Sequence, residues 1–337
     1  MYSINQQQLK DLLLGTSALA TGGGYEYEKK IASLSDVHEM RILETSDLKP
    51  NDLLCTIYAV GSTTVQDTPS DALLLQGVEA IEQRLRKELV AIFPGEIGAE
   101  HLALKTTHLL HKDILDADAA GGRAVPEIVQ DQFMLFDLST TSALLIDALG
   151  KMEWIDDLEP EALEARARTL ARSTNNLVIV FDHLILGAQH HLLSTGNLKR
   201  ALCIGELLRK KRVRALAQHG LLYVDVAQLI HVTTHDRGGF LDARVELENS
   251  AHRYSLFIRN ENLVLLQDDR PVCTCPHFII LLDVHGMPIH NSHLHSHLHN
   301  QIHILIARAT EAWDTKRGYQ LFSPERFGLD VEVTFNL

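Results

Sequence analysis

The sequence predicts an α/β amino-terminal half with a mostly parallel sheet, followed by a β-rich carboxyl-terminal half. Three observations carry this. Leu53–Val60 (LLCTIYAV) is an almost unbroken apolar run, as expected of a strand covered on both faces. It is followed by a helical apolar spacing and then by a second short apolar run, Leu89–Phe93. From Leu221 onward the pattern changes to short apolar runs separated by Gly, Asp and Asn.

The elements follow in order. Leu9–Ala20 reads as a helix that stops at Thr21-Gly22-Gly23-Gly24. Leu74, Val78, Ile81, Leu85 and Leu89 recur every three or four residues behind Ser70, a candidate N-cap. Strand, helix and strand then form a βαβ unit. Ile114-Leu115 is a candidate third strand ending at Asp116. If all three are parallel, Gly61–Thr64, Glu96 and Asp116–Asp118 converge on the carboxyl edge of the sheet, where open α/β sheets hold ligands. Leu158–Ala171 reads as an exposed helix with Pro160 near its start. We place the domain boundary near 172, giving domains 1–172 and 173–337, although the helices up to about 219 could pack on the first domain. The later runs, Leu221–Val226, Leu229–Val232, Arg244–Leu247, Tyr254–Ile258, Leu263–Leu266, Phe278–Leu282 and Ile302–Ile306, suggest a barrel or sandwich.

Composition narrows the function. The chain has 337 residues, 45% of them hydrophobic, enough for two ordinary cores. Its formal net charge of −13 argues against nucleic acid or an anionic membrane as partner. No signal-peptide pattern opens the sequence, no run approaches a membrane span, and the four cysteines form no disulfide framework. We therefore expect a cytoplasmic protein. A symmetric homodimer is the base-rate expectation.

Leu115–Glu127 (LDADAAGGRAVPE) is the richest segment. It gathers Asp116, Asp118, Gly121-Gly122, Arg123 and Glu127 around a sharply bending backbone. Glu96, Asp116, Asp118 and Glu127 are the candidate catalytic carboxylates, because crowding keeps one acid protonated while another is charged. Each of the two aspartates could instead cap a turn, and Glu127 could sit in the first turn of a helix after Pro126. Arg123 could bind a substrate carboxylate or oxyanion, or form a structural ion pair to Asp116 or Glu127. Thr21, Gly22, Gly23 and Gly24 are candidate substrate-binding residues, since three glycines allow a close backbone approach where a helix stop needs only one. Thr63 and Thr64 could donate hydrogen bonds to a carbonyl. No dinucleotide fingerprint or Ser-His-Asp spacing is present, and no nucleotide cofactor is expected.

Two segments could hold metal. Cys273-x-Cys275-x-His277 would point three donors to one face of a strand, a candidate open zinc site. Seven of the 19 histidines fall between His285 and His303, and the alternation of His293, His295, His297 and His299 would also share one face of a strand.

Four pieces of the chain resemble the S-methyl-thiohydantoin desulfurase-like family. They are Ala18–Gly24 (ALATGGG), Gly95–Gly98 (GEIG), Asp116-x-Asp118 with Gly122–Glu127 (GRAVPE), and Phe257-x-x-Asn260-Glu261-Asn262-Leu263 with Ile289, Trp313 and Pro324-x-x-Phe327-Gly328. The resemblance runs along essentially the whole chain. It implies a three-layer α/β domain, a barrel-like carboxyl-terminal domain, and hydrolysis of small hydantoin-like or S-alkyl-thiohydantoin-like cyclic amides, with zinc as a candidate cofactor. The chain departs from the family's pattern at Ala99-Glu100-His101, at Pro276-His277 and at Tyr25-Glu26-Tyr27. These departures motivate a rival expectation, a non-catalytic ligand-binding or complex-forming protein on the same fold. The histidine run motivates a third, a metal-binding protein.

Overall fold

The computed structural model describes residues 1–61, 69–138, 142–156, 159–174 and 177–336. The amino-terminal sheet contains β1 (Tyr2–Asn5), β2 (Glu39–Leu43), β3 (Leu53–Gly61), β4 (Leu89–Pro94), β5 (Asp113–Leu115), β7 (Ala143–Asp147), β8 (Met152–Ile155) and β9 (Leu177–Leu186). A separate ribbon joins β6 (Ala117–Asp118) to β10 (Ser194–Thr195). The main sheet runs β1-β2-β5-β4-β3-β9-β7-β8. The pairs β2-β5, β5-β4 and β4-β3 are parallel, and the outer pairs are antiparallel. The strand, helix and strand read from the sequence are β3, α3 (Asp71–Leu85) and β4. Leu74, Val78 and Ile81 bury as expected. Leu85 instead faces outward, and Leu89 opens the next strand, because the chain leaves the helix at Arg86 in a left-handed conformation.

Side-chain alternation creates the layers. Ile179 and Phe181 of β9 join the core beneath α1 (Gln6–Leu19) and α3. Val178 and Val180 point the other way, onto Leu163, Ala167 and Ala171 of α6 (Pro160–Ser173). Helices therefore cover both faces, which is the three-layer arrangement. The chain returns to this sheet after the boundary expected at 172, since β9 lies between β3 and β7. The helix α7 (Asn197–Arg209) packs directly on α1. Asn5 starts α1 with a reciprocal cap: its side chain accepts from the Gln8 amide, and Gln8 accepts from the Asn5 amide.

The carboxyl-terminal sheet is wholly antiparallel. Its strands are β11 (Leu221–Arg237), β12 (Phe240–Glu248), β13 (Arg253–Arg259), β14 (Glu261–Gln267), β15 (Arg270–Thr274), β16 (Phe278–Leu282) and β17 (Gln301–Ala307). The order β15-β14-β13-β12-β11-β17-β16 curls into a half-barrel. β14, next to one end, reaches β16 at the other where Asn262 Nδ2 donates to the Ile279 carbonyl at 2.9 Å. Ile279 and Leu281 fill the half-barrel, whereas Phe278, Ile280 and Leu282 join the amino-terminal core. One strand thus belongs to two cores and fixes the domains together. Among the described residues, no helix is long and apolar enough to cross a membrane.

The α1–α7 contact is backbone on backbone. A Cβ on Gly205 would lie 1.7 Å from the Asp11 carbonyl oxygen, and one on Gly15 would lie 1.8 Å from that of Ala201. Gly205→Val should force the helices apart and cost about 3 kcal/mol. A urea midpoint equal to that of the parent protein would show that this contact is not tight in solution.

Candidate active site

An open cleft, about 970 Å³ when the solvent at its mouth is included, lies between the carboxyl edge of the first sheet and the half-barrel. Glu96 reaches it from the turn after β4, as the sequence predicts, and Glu127 reaches it from the end of the GRAVPE segment. Gly24, Tyr58, Asp131, Glu164, Arg168, His183, Asn260 and Glu261 also line it.

Glu96 and Glu261 are the chemically distinctive pair. Glu96 is half-buried, and its Oε2 accepts the Val125 amide at 2.8 Å. Loss of solvent pushes its carboxyl up to about 8. The Glu100 and Asp118 charges push the same way, against the Val125 hydrogen bond and Arg123. Glu261 is 3% exposed, and its Oε2 has no hydrogen-bond partner among the described residues. Burial, then the neighbouring Glu96 charge, raise it well above the carboxylate range. Glu261 starts β14 behind Asn260, whose φ of 56° turns the chain between β13 and β14. The glycine turn explains its placement. A Cβ on Gly23 would lie 2.0 Å from Glu261 Oε1, so a side chain at 23 would displace that carboxyl.

A charged relay also reaches the cleft through Tyr58, Asp131 and His183. The Tyr58 hydroxyl donates to Asp182 Oδ2 at 2.7 Å, and Asp182 Oδ1 holds His183 Nδ1 in a very short contact. His183 Nε2 lies 2.8 Å from Asp131 Oδ2. Burial disfavours the imidazolium, but the two aspartates outweigh it and raise His183 well above its usual value. Arg168 is held by Glu164, by the carbonyls of Gly239 and Pro126, and by the Phe240 ring 3.7 Å away.

The remaining residues singled out in the sequence have other placements. Asp118 does not line the cleft. Its Oδ1 accepts the Ala120 and Gly122 amides, and its Oδ2 accepts Asn197 Nδ2, which is the turn-holding alternative. Asp116 accepts the Leu198 and Lys199 amides and the Tyr2 hydroxyl. Arg123 pairs with neither Asp116 nor Glu127. It is fully buried and donates to the carbonyls of Ala124, Pro276 and His277 and to Thr21 Oγ1. Glu127 accepts from Arg326 and Gln130. The Thr21 carbonyl accepts the Asn262 amide, and that of Gly22 accepts the Asn291 amide. Thr63 and Thr64 lie outside the described residues.

The metal candidates do not gather. The strand ends at Thr274, so Cys273 enters the half-barrel core while Cys275 packs beside Trp313. His277 Nδ1 accepts the Ala309 amide at 3.1 Å. A zinc site needs its donors about 2.0–2.3 Å from one point, and these three do not fit one. The histidine run is no strand: Asn291–His297 forms a 3₁₀ turn. His293 faces Glu26 and His295 faces Thr234, so the alternation does not share a face. Among the described residues, no group of three or more His, Cys, Asp or Glu side chains is placed to hold a metal ion.

The amino-terminal S-Me-THD-like domain model matches residues 7–157, and the carboxyl-terminal one matches residues 159–335. The chain belongs to the S-Me-THD-like family. The crystal structure of a protein from Chromobacterium violaceum, a structural-genomics target, is similar at a TM-score of 0.78 and 18% identity over 99% of both chains, which shows the shared fold. Comparison with curated proteins finds no match.

The raised Glu96 carboxyl also sets a stability trend. The folded protein binds this proton more tightly than the unfolded chain, so its contribution is full below about pH 4.5, the unfolded value, and is lost as pH rises through about 8. The parent protein's Tm should therefore fall more between pH 5 and 8.5 than that of Glu96→Gln. Parallel curves from the two proteins would contradict the assignment.

Proposed function

We propose that this family member hydrolyses a small cyclic amide, hydantoin-like or S-alkyl-thiohydantoin-like, in the cleft shared by its two domains. One observation carries the reading: Glu96 and Glu261 come from different domains, line one cleft, and both hold protons more tightly than ordinary carboxyls. Such a pair supplies a base and an acid near neutral pH. Glu96, the less raised, is the base. Glu261, the more raised, is the acid.

The balanced sequence for an S-alkyl ring begins with water. Glu96 takes one of its protons as the oxygen bonds to the ring carbon, while Glu261 protonates the ring nitrogen. The carbon–sulfur bond then breaks. The sulfur leaves as a thiol with the proton held by Glu96, and the new hydroxyl returns its proton to Glu261 as the carbonyl forms. No redox partner is needed. His183, fixed between two aspartates, and Tyr58, bonded to Asp182, form a rigid part of the cleft wall that confines the ring.

Glu96→Gln and Glu261→Gln should each lower kcat by about 100-fold or more while leaving the fold intact by circular dichroism. Thiol release from S-methyl-thiohydantoin, with ring products followed by mass, is the readout. Parent-level turnover in either variant, or no product from the parent with hydantoin or its S-methyl-thio analogue, would refute the assignment. The parent's kcat/KM should also rise from pH 6 towards about 8 as Glu96 ionises. A flat profile would remove Glu96 as the base.

A further inference from the structure

The cleft has an unusual charge balance. Five carboxyl side chains line it: Glu96, Glu127, Asp131, Glu164 and Glu261. Its lining has two cationic side chains, Arg168 and His183, among the described residues. Both are engaged within the protein. Glu164 and the Phe240 ring hold Arg168. Asp131 and Asp182 hold His183. The residues outside the described set contain no lysine, arginine or histidine. Glu127 is paired outward with Arg326. Glu96 and Glu261 have no cation in salt-bridge contact among the described residues. Glu261 lines the cleft although it is almost fully buried, and its Oε2 lacks a hydrogen-bond partner among the described residues.

A buried carboxyl with an unpartnered oxygen is costly unless a polar group meets it. With its proton held, Glu261 donates from one oxygen and accepts at the other, so the wall suits an uncharged ring that offers both C=O and N–H groups. A carboxylate entering the same space would find no free guanidinium or ammonium to receive it, and an unpaired charge in a partly dry cleft costs far more than an uncharged group does.

We propose that the cleft selects its ligand by charge, taking an uncharged or cationic small ring with N–H donors and rejecting a ring that bears a carboxylate. This rests on the cyclic-amide reading for the ring itself and adds which side chains that ring can carry.

The test uses the full chain and three hydantoins with a methyl, an aminoethyl or a carboxyethyl group on the same ring carbon. Binding is measured by calorimetry, and turnover of the same samples by mass. The methyl and aminoethyl rings should bind, and the carboxyethyl ring should bind at least about tenfold more weakly. In Glu164→Gln, which frees the charge of Arg168, the carboxyethyl ring should regain about threefold or more of that loss. Equal or tighter binding of the carboxyethyl ring overturns the inference. So does an absence of binding by all three, or a Glu164→Gln variant with unchanged discrimination. Binding in the expected order without product would leave charge selection standing and count against hydrolysis alone.

Discussion

The structure depends on one buried cation. Arg123 lies where the GRAVPE loop, the glycine turn and the segment after β15 meet, and its donors close on the carbonyls of three residues and on the Thr21 hydroxyl. The rings of Phe278 and Phe322 flank its guanidinium at 5.3 and 4.6 Å. A charge removed from water is tolerable only when its donors are satisfied, and a flat fork of five N–H groups does this as an ammonium could not. Burial still disfavours the charge, and the nearby Cys275, Glu261, Cys273 and Glu96 act to retain it. The same residue holds two domains in register and supplies a positive field close to both cleft glutamates.

That arrangement gives the two carboxyls their character. Docking the half-barrel removes water from Glu261 and brings it under the influence of Glu96, while the Val125 amide retains one oxygen of Glu96. Glu261 thus owes part of its character to a residue of the other domain, whereas Glu96 is raised by burial and by Glu100 and Asp118 of its own domain. The two raised acids also burden the fold, because an acid that resists ionisation destabilises the native state as pH rises.

The sequence made the βαβ unit legible through uninterrupted apolar runs and sharp punctuation, and Glu96 followed from where a parallel strand must end. Other parts were hidden for physical reasons. Asp182-His183 lies inside the apolar run LVIVFDHLIL, and adjacent charges in a fully covered strand were the available signal for a buried relay. Glu261 stood in plain view within Asn-Glu-Asn, between two apolar strands, but its partner lies 165 positions earlier and no local spacing links them. Asp118 was misleading because a carboxylate in a Gly-Gly loop reads alike whether it faces a ligand or holds its own amides. Cys273 and Cys275 would share a face only if the strand continued, and it stops between them at Thr274.

The insertion of β9 between β3 and β7 has a consequence for synthesis. The first sheet stays split until residue 186 has left the ribosome, and α1 lacks its covering helix until residue 209 has followed. At roughly 5–20 residues per second, the nascent chain carries an exposed leucine-rich helix for on the order of ten seconds or more. Until then the apolar face of α1 has no partner from its own chain, and a first half cut at residue 172 would lack both β9 and α7.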